Sequence, residues 1–203
     1  MKIGWVMGWA VPEVWFSAQV RAAFPDAEHF FFAPTEAALT GLEQAGPLDC
    51  VAGYSLGAHC LLAEAGRVAR LGARVTLLAP ILAFPAEEAL GGRVARTQVR
   101  YLARWLKRDR PAALADFYSR AGLDLTPEEA AELSMETLNA GLVRLEQGRV
   151  EPPVPDGWRL YLGDHDALLD ATALARQLPG LVAVANGTHH PAALLRAWAE
   201  DGL

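Results

Sequence analysis

Short apolar runs alternate with amphipathic stretches along the first 80 residues of the chain. The apolar runs predict strands at residues 2–7, 28–32, 48–52 and 75–79. Between them, apolar side chains spaced three and four apart predict helices at residues 13–24, 35–44 and 55–71. Strands that alternate with helices are typical of βαβ units, so we predict a mainly parallel sheet flanked by helices.

The alternation stops between residues 84 and 150, which carry helical signals and no convincing strand. Helices are predicted at residues 93–108 and 111–121, from Thr126 onwards, and at residues 138–147. The alternation of strands and helices then resumes, with strands predicted at residues 158–162 and 181–185 and helices at residues 167–177 and 191–198. The sequence therefore predicts six strands, with a helical insertion after the fourth.

This pattern divides the chain into an α/β core, residues 1–83 and 151–203, and a helical insertion, residues 84–150. An insertion at the carboxyl end of a strand lies over the region where open α/β sheets bind ligands. We therefore interpret the helical insertion as a lid.

Composition narrows the possible classes of protein. The chain has 203 residues, 52% hydrophobic and 21% charged, which indicates a globular domain. Its two cysteines exclude a disulfide scaffold and a four-cysteine zinc site, and we expect reduced thiols and a cytoplasmic location. The net charge of −6 argues against a general nucleic-acid binder. We find no signal-peptide pattern and no apolar run near the ~20 residues of a membrane helix, and we expect no membrane association and a monomer.

Residues 53–57, Gly-Tyr-Ser-Leu-Gly, match the Gly-x-Ser-x-Gly pattern of a nucleophile elbow. The pattern follows a predicted strand and opens a predicted helix, which is the context that an elbow requires. Ser55 is therefore a candidate nucleophile. The alternative is that Ser55 is an ordinary helix cap and that the glycines serve a tight turn.

A serine nucleophile needs a base and an orienting acid, and in this type of fold they follow in the order Ser, Asp, His. The fifth predicted strand is followed by Gly-Asp-His-Asp, which offers Asp164 and Asp166. The sixth is followed by Thr-His-His-Pro, which offers His189 and His190. The backbone N–H groups of Trp9 and Leu56 are candidates for an oxyanion hole. We find no metal-ligand cluster and no nucleotide-binding pattern, so no metal or cofactor is expected.

With these residues placed, the chain resembles the α/β-hydrolase superfamily over nearly its whole length. More narrowly, it is similar to the pimeloyl-acyl-carrier-protein methyl ester esterases of biotin synthesis. Residues 7–15 are similar to that family's His-Gly-Trp-Gly and Glu-Val-Trp segments, and residues 53–57 to its Gly-Trp-Ser-Leu-Gly elbow. Residues 160–166 are similar to its Leu-Tyr-Gly-x-x-Asp segment, and residues 187–191 to its x-x-His-x-Pro ending.

The resemblance implies Asp166 as the acid, with Asp164 as a turn residue, and His189 rather than His190 as the base. The chain also departs from the family. Met7 stands where the family has His and Ala10 where it has Gly, so we expect a differently shaped oxyanion loop. The first predicted strand matches the family's third strand, so we expect a sheet without the family's antiparallel edge.

Basic residues are concentrated between residues 93 and 110. That window carries seven basic residues and one acid, so it is +6 while the rest of the chain is −12. On the helix predicted at residues 93–108, spacings of three and four place most of them on one face. We call this set the basic stripe: Arg93, Arg96, Arg100, Arg104, Lys107 and Arg108.

Like charges one helical turn apart repel, so the basic stripe needs a partner to offset its cost. The resemblance implies an acidic acyl-carrier protein with a phosphate-bearing arm, and arginine suits phosphate and carboxylate recognition. We therefore predict that the basic stripe docks such a carrier.

Together these features predict a serine hydrolase with the triad Ser55, Asp166 and His189. The resemblance implies that it cleaves the methyl ester of pimeloyl-acyl-carrier protein. One alternative is a general short-chain carboxylesterase or thioesterase. Another is a binding module that has this fold but no catalytic activity.

Overall fold

A six-stranded parallel sheet forms the centre of the protein, whose computed structural model describes residues 1–202. The strands are β1 (Lys2–Val6), β2 (Glu28–Phe32), β3 (Cys50–Tyr54), β4 (Arg74–Leu78), β5 (Arg159–Gly163) and β6 (Leu181–Val184). They lie in the order β2-β1-β3-β4-β5-β6, and each neighbouring pair is parallel. The predicted parallel sheet flanked by helices is confirmed. Leu203, which ends the predicted core range, lies outside the described residues.

Nine α-helices accompany the sheet in residues 1–202. They are α1 (Glu13–Ala23), α2 (Ala38–Gln44), α3 (Leu56–Ala63), α4 (Ala65–Ala69), α5 (Arg96–Arg108), α6 (Arg110–Ala121), α7 (Met135–Gln147), α8 (Ala171–Gln177) and α9 (Pro191–Glu200). None of these described helices is long and apolar enough to cross a membrane.

The handedness of the connections between parallel strands determines which face of the sheet each connecting helix covers. The chain moves toward one edge of the sheet through α1 and toward the other edge through α2, α3 and α8. Because parallel crossovers are right-handed, α1 lies on the opposite face from these three helices. Helix α9 packs against α1 and therefore shares its face.

An aromatic cluster fills the space between the sheet and the pair α1 and α9. Trp5 of β1 is fully buried, and its ring lies 5.5 Å from Phe16 of α1 and 5.4 Å from Trp198 of α9. The ring centroids of Phe24 and Trp198 lie 4.6 Å apart. Large aromatic rings dominate core energetics because each buries a wide apolar surface. The cluster thereby fixes α9 and the loop that leads into it.

Helices α5, α6 and α7 form most of the helical insertion, and α5 packs against both of the others. Helix α5 begins at Arg96, three residues later than predicted. The reason is that residues 92 and 94 form isolated bridges with Leu169 and Pro85, which hold the chain extended there. Arg93 therefore lies off the helix, and the predicted placement of Arg93 on the same helical face is wrong.

The helix predicted from Thr126 is also absent from the described structure. The expected capping contact does form, because the Glu129 carboxylate accepts from the Thr126 N–H at 2.8 Å. The backbone then continues in three-residue turns, with Ala131 N–H donating to the Glu128 carbonyl. Ser134 caps the true helix α7 by accepting from the Thr137 N–H. A single capping contact does not overcome the cost of nucleating a helix.

Three further helices are shorter than predicted by three or more residues. Helix α2 begins at Ala38 rather than at residue 35. The helix predicted at residues 55–71 is divided into α3 and α4 at Glu64, which has φ −117° and ψ 28°. Helix α8 begins at Ala171 rather than at residue 167. The N–H groups of Leu168 and Leu169 donate instead to a carboxylate oxygen of Asp166, so that stretch forms a loop.

The approach of α3 to β1 leads to a stability prediction. A Cβ on Gly57 would lie 2.0 Å from the Val6 carbonyl oxygen, whereas a Cβ on Gly66 of α4 would meet nothing within 4 Å. We expect Gly57→Ala to lower the free energy of unfolding by about 3 kcal/mol because backbone must move. Gly66→Ala is the matched control and should raise it by about 0.5–1 kcal/mol. Urea denaturation measures both changes, and equal effects would contradict the packing described here.

Candidate active site

Ser55 lies at the sharp turn between β3 and α3. Its φ of 54° and ψ of −116° are rare for a residue with a side chain, and such backbone strain costs on the order of 1–3 kcal/mol. The Ser55 N–H donates to the Leu78 carbonyl at 2.9 Å, which fixes the turn to the end of β4. This is the geometry of a nucleophile elbow, in which the serine hydroxyl stands clear of the sheet.

The two glycines that flank Ser55 are required for this turn. A Cβ on Gly53 would lie 2.7 Å from the Ala58 Cα, and a Cβ on Gly57 would collide with the end of β1. The absence of both side chains lets α3 start directly against β1 and the loop that follows it. The beginning of α3 and this loop therefore border the same space as Ser55.

Ser55, His189 and Asp166 form one chain of hydrogen bonds. His189 Nε2 lies 2.9 Å from Ser55 Oγ, and His189 Nδ1 lies 2.7 Å from Asp166 Oδ2. A carboxylate can only accept, so Nδ1 carries the proton and Nε2 is free to accept from the serine hydroxyl. The exposed fractions are 8% for Ser55, 2% for His189 and 1% for Asp166. The structure thus brings together the three residues that the sequence predicted as a triad.

The neighbouring aspartate and histidine have other partners. Asp164 is exposed and lies 3.4 Å from His165 Nδ1, away from His189. His190 Nε2 lies 2.9 Å from Asp124 Oδ1, and His190 Nδ1 accepts from the Ala192 N–H at the start of α9. His190 therefore links the loop before α9 to the helical insertion.

Asp166 is held by the backbone of its own loop. Its Oδ1 accepts from the N–H groups of Leu168 and Leu169 at 2.8 and 2.9 Å, which leaves Oδ2 for His189. Its carbonyl accepts from Arg93 Nη1 at 2.9 Å. These contacts fix both the loop and the direction of the carboxylate.

The loops that carry Asp166 and His189 pack together through glycines. A Cβ on Gly163 would lie 2.3 Å from the carbonyl of Gly187. The two loops can therefore pack this closely only because both positions are glycine. Tyr54, the residue before the nucleophile, donates its hydroxyl to the His189 carbonyl at 2.8 Å. Burial raises the pKa of Tyr54 well above its usual range, so the hydroxyl stays protonated and able to donate.

The N–H groups of Trp9 and Leu56 are suited to hold an oxyanion. Within residues 1–202 neither group donates to a protein acceptor. Leu56 is the first residue of α3, where the free N–H groups and the helix dipole favour negative charge. The Trp9 indole donates to the Leu138 carbonyl of α7 at 2.8 Å, which ties the loop after β1 to the helical insertion.

Half of the basic stripe has salt-bridge partners within the protein. Arg96 pairs with Glu88, and Arg100 lies 2.6 Å from Glu146. Arg93 pairs with Asp170 at 3.7 Å, in addition to its contact with the Asp166 carbonyl. Over the described residues, the members of the basic stripe without a salt bridge are Arg104, Lys107 and Arg108. The charges left uncompensated within the protein are therefore those of three stripe residues rather than six.

The other candidate groups near the site have structural roles. Residues 1–202 contain no cluster of three or more side chains able to hold a metal ion. His59 lies one turn beyond Ser55 and directs Nδ1 toward the Ile81 carbonyl at 3.0 Å, and burial lowers its pKa. Cys50 and Cys60 are free, buried thiols, and burial raises the pKa of Cys50 to about 11. The His59 N–H donates to the Ser55 carbonyl at 3.1 Å, but no side chain of this group hydrogen-bonds to a triad side chain.

Sequence reasoning did not assign roles to several residues that support the site. Tyr54 stands at a variable position of the elbow motif, and the stripe pattern predicts docking for Arg93 rather than its contact with the Asp166 carbonyl. Asp124, which accepts from both the Trp15 indole and His190, was not singled out. No local pattern marks such residues, because each acts on a partner far away in the chain.

Comparison with solved structures places this geometry in a known architecture. An esterase from Exiguobacterium antarcticum is 13% identical, with a TM-score of 0.73 over 93% of this chain and 85% of that chain. A thermophilic esterase from Thermogutta terrifontis is 16% identical, with a TM-score of 0.69 over 97% and 87%. The bottromycin epimerase BotH, in complex with bottromycin A2, is 20% identical, with a TM-score of 0.63 over 98% and 90%.

The chain has the α/β-hydrolase fold. It matches no protein-family model, and a search of curated proteins finds no match. The similarity to esterases therefore rests on the fold. Because this fold supports several activities, an epimerase among them, the activity must be argued from the site itself.

Proposed function

We propose that the protein is a serine hydrolase that cleaves carboxylic esters. The observation that carries this proposal is the buried hydrogen-bond chain from Ser55 through His189 to Asp166, at 2.9 and 2.7 Å. A serine used only as a helix cap would need neither partner, and Ser55 makes no side-chain capping bond to α3. The strained Ser55 backbone adds support, since such strain persists mainly where function requires it.

Each group has a defined role in the proposed reaction. His189 Nε2 takes the proton from Ser55 Oγ as the oxygen attacks the ester carbonyl. The N–H groups of Trp9 and Leu56 bind the oxyanion of the tetrahedral intermediate. Asp166 holds the histidine tautomer and stabilises the imidazolium, which then protonates the leaving alcohol. Water releases the acid from the acyl-enzyme by the same route.

A cleft between the helical insertion and the core suits the apolar part of the ester. It lies beside Trp9 and Leu168. Helices α5, α6 and α7 contribute Val99, Leu102, Phe117, Leu142 and Leu145 to its walls. Because Leu168 follows the acid in the same loop and Trp9 supplies an oxyanion donor, this cleft can receive a chain attached at Ser55. The proposed role of residues 84–150 as a lid rests on these contacts.

At a finer level, we propose that the substrate is a methyl ester of an acyl chain held on acyl-carrier protein, such as the pimeloyl chain of biotin synthesis. The motif similarities support this substrate. So do Arg104, Lys107 and Arg108, which are exposed on α5 without salt bridges among the described residues. An exposed basic patch chiefly raises the association rate of an acidic partner and depends on salt.

The first test concerns the nucleophile. We expect the wild-type protein to be labelled by a fluorophosphonate probe and Ser55→Ala to abolish the labelling. Hydrolysis of p-nitrophenyl acetate should fall by about 10⁴-fold or more, because triad members act as a unit. Circular dichroism confirms that the variant is folded. Near-normal hydrolysis by a folded Ser55→Ala protein would refute the mechanism and favour the binding-module alternative.

The second test compares two aspartates two residues apart. Asp166→Asn should lower kcat by about 10⁴-fold, as the same change does in a serine protease, because the amide favours the wrong histidine tautomer. Asp164 is exposed and does not contact His189, so Asp164→Asn should change kcat by less than about 2-fold. Steady-state kinetics on one ester measures both, and a larger loss for Asp164→Asn would reverse the assignment.

The third test concerns the carrier. Arg104→Glu with Arg108→Glu should lower kcat/KM for an acyl-carrier-linked methyl ester by about 10-fold, by slowing association. It should leave hydrolysis of p-nitrophenyl acetate unchanged. The matched control, Arg21→Glu with Arg176→Glu, makes the same charge change at exposed positions on α1 and α8 of the core.

Two results would count against the carrier. Equal losses on both substrates would mean that the stripe only supports the insertion. Full activity on the carrier substrate would remove the proposed docking role. A panel of oxygen esters and thioesters of increasing chain length then separates a general esterase from a thioesterase.

A further inference from the structure

Ala10 has a backbone conformation that alanine rarely adopts. Its φ is 56°, in the left-handed region that favours glycine, and it directly follows Trp9, whose N–H is a proposed oxyanion donor. Because the two residues share a peptide bond, the conformation of Ala10 influences the orientation of that loop. Ala10 therefore needs a contact from elsewhere to hold it in this conformation.

Tyr118 of α6 supplies such a contact. Its hydroxyl donates to the Ala10 carbonyl at 2.7 Å, and the side chain is fully buried. Burial raises the pKa of Tyr118, so the hydroxyl remains a donor across the working range of an enzyme. This hydrogen bond links residues 108 positions apart and joins the helical insertion to the core.

The helical insertion holds the same loop at a second place. The Trp9 indole donates to the Leu138 carbonyl, and its ring packs edge-on against Phe117 at 4.6 Å. A Cβ on Gly141 would lie 2.4 Å from Trp9 Cδ1, so α7 approaches the indole as closely as a glycine allows. These contacts anchor the side chain of Trp9, whereas the backbone that follows it is anchored by Tyr118.

We propose that Tyr118 is a positioning residue that holds Ala10 in its left-handed conformation and thereby directs the Trp9 N–H toward the oxyanion. The proposal rests on the ester-hydrolase function above. It predicts that the catalytic competence of the oxyanion loop depends on the insertion being seated on it. It also predicts that the requirement for Tyr118 follows from alanine at position 10.

The test is a double-mutant cycle between Tyr118→Phe and Ala10→Gly. With Ala10 present, Tyr118→Phe should lower kcat for p-nitrophenyl acetate by about 10-fold or more and leave KM within about 2-fold, because the loss is confined to the transition state. In the Ala10→Gly background, the same substitution should lower kcat by less than about 3-fold, because glycine adopts positive φ without support. The inhibition constant of an alkyl boronic acid, which forms a tetrahedral adduct, should rise in parallel with the loss in kcat.

Tyr161→Phe is the matched control. Tyr161 is also buried and donates its hydroxyl to Asp201 at 2.8 Å, at the amino-terminal end of the sheet and away from the triad. Tyr161→Phe should leave kcat and the inhibition constant of the boronic acid unchanged. Thermal unfolding monitors the fold of each variant. If Tyr118→Phe alone does not fold, the inhibition constant of the boronic acid is compared between Ala10→Gly and the double variant. Equal constants support the proposal. A constant 10-fold higher in the double variant overturns it.

Several outcomes overturn the proposal. Equal losses in the alanine and glycine backgrounds would mean that Tyr118 only supports packing of the insertion. An unchanged kcat in both backgrounds would mean that the hydrogen bond is not needed. A wild-type protein that neither hydrolyses esters nor reacts with the fluorophosphonate at Ser55 would instead refute the proposed function.

Discussion

The backbone of Ser55 is the constraint on which the arrangement of the site depends. Its left-handed φ turns the chain from β3 into α3 within one residue, and the helix then starts against the end of β1. That contact is possible only because Gly53 and Gly57 have no side chains. As a result, the Ser55 hydroxyl, the first N–H of α3 and the loop after β1 border the same small space. The proposed chemistry uses all three.

Side chains from distant parts of the chain hold the two loops that complete the triad. Tyr54 binds the carbonyl of His189, and Arg93 binds the carbonyl of Asp166. Each bond fixes a backbone segment rather than a catalytic atom, so the imidazole and the carboxylate are oriented through their own loops. Supported loops of this kind keep the reacting groups in place before substrate arrives, which is how enzymes obtain electrostatic stabilisation at little cost.

The helical insertion combines two kinds of contact with the core. Near Trp9 and Ala10 its contacts are buried hydrogen bonds and aromatic packing, which are specific in direction. On the outer face of α5 the charges are exposed or half-buried, and Arg96 and Arg100 are paired with Glu88 and Glu146. Exposed ion pairs add little to stability, so the buried contacts have the larger part in seating the insertion. The unpaired end of the basic stripe, Arg104, Lys107 and Arg108, is exposed.

The sequence by itself determined the number and direction of the strands and the identity of the candidate triad. The strands follow from the spacing of apolar residues, and Ser55 from a local motif. The positions after the fifth and sixth strands offered two aspartates and two histidines, and the resemblance to a known family favoured Asp166 and His189. The tertiary structure alone decided the role of Arg93, which lies 73 residues from the aspartate whose carbonyl it binds. It also decided that no helix begins at Thr126 and that Tyr118 donates to the Ala10 carbonyl. Each of these outcomes results from contacts between residues that only folding brings together, and no periodicity or motif records such contacts.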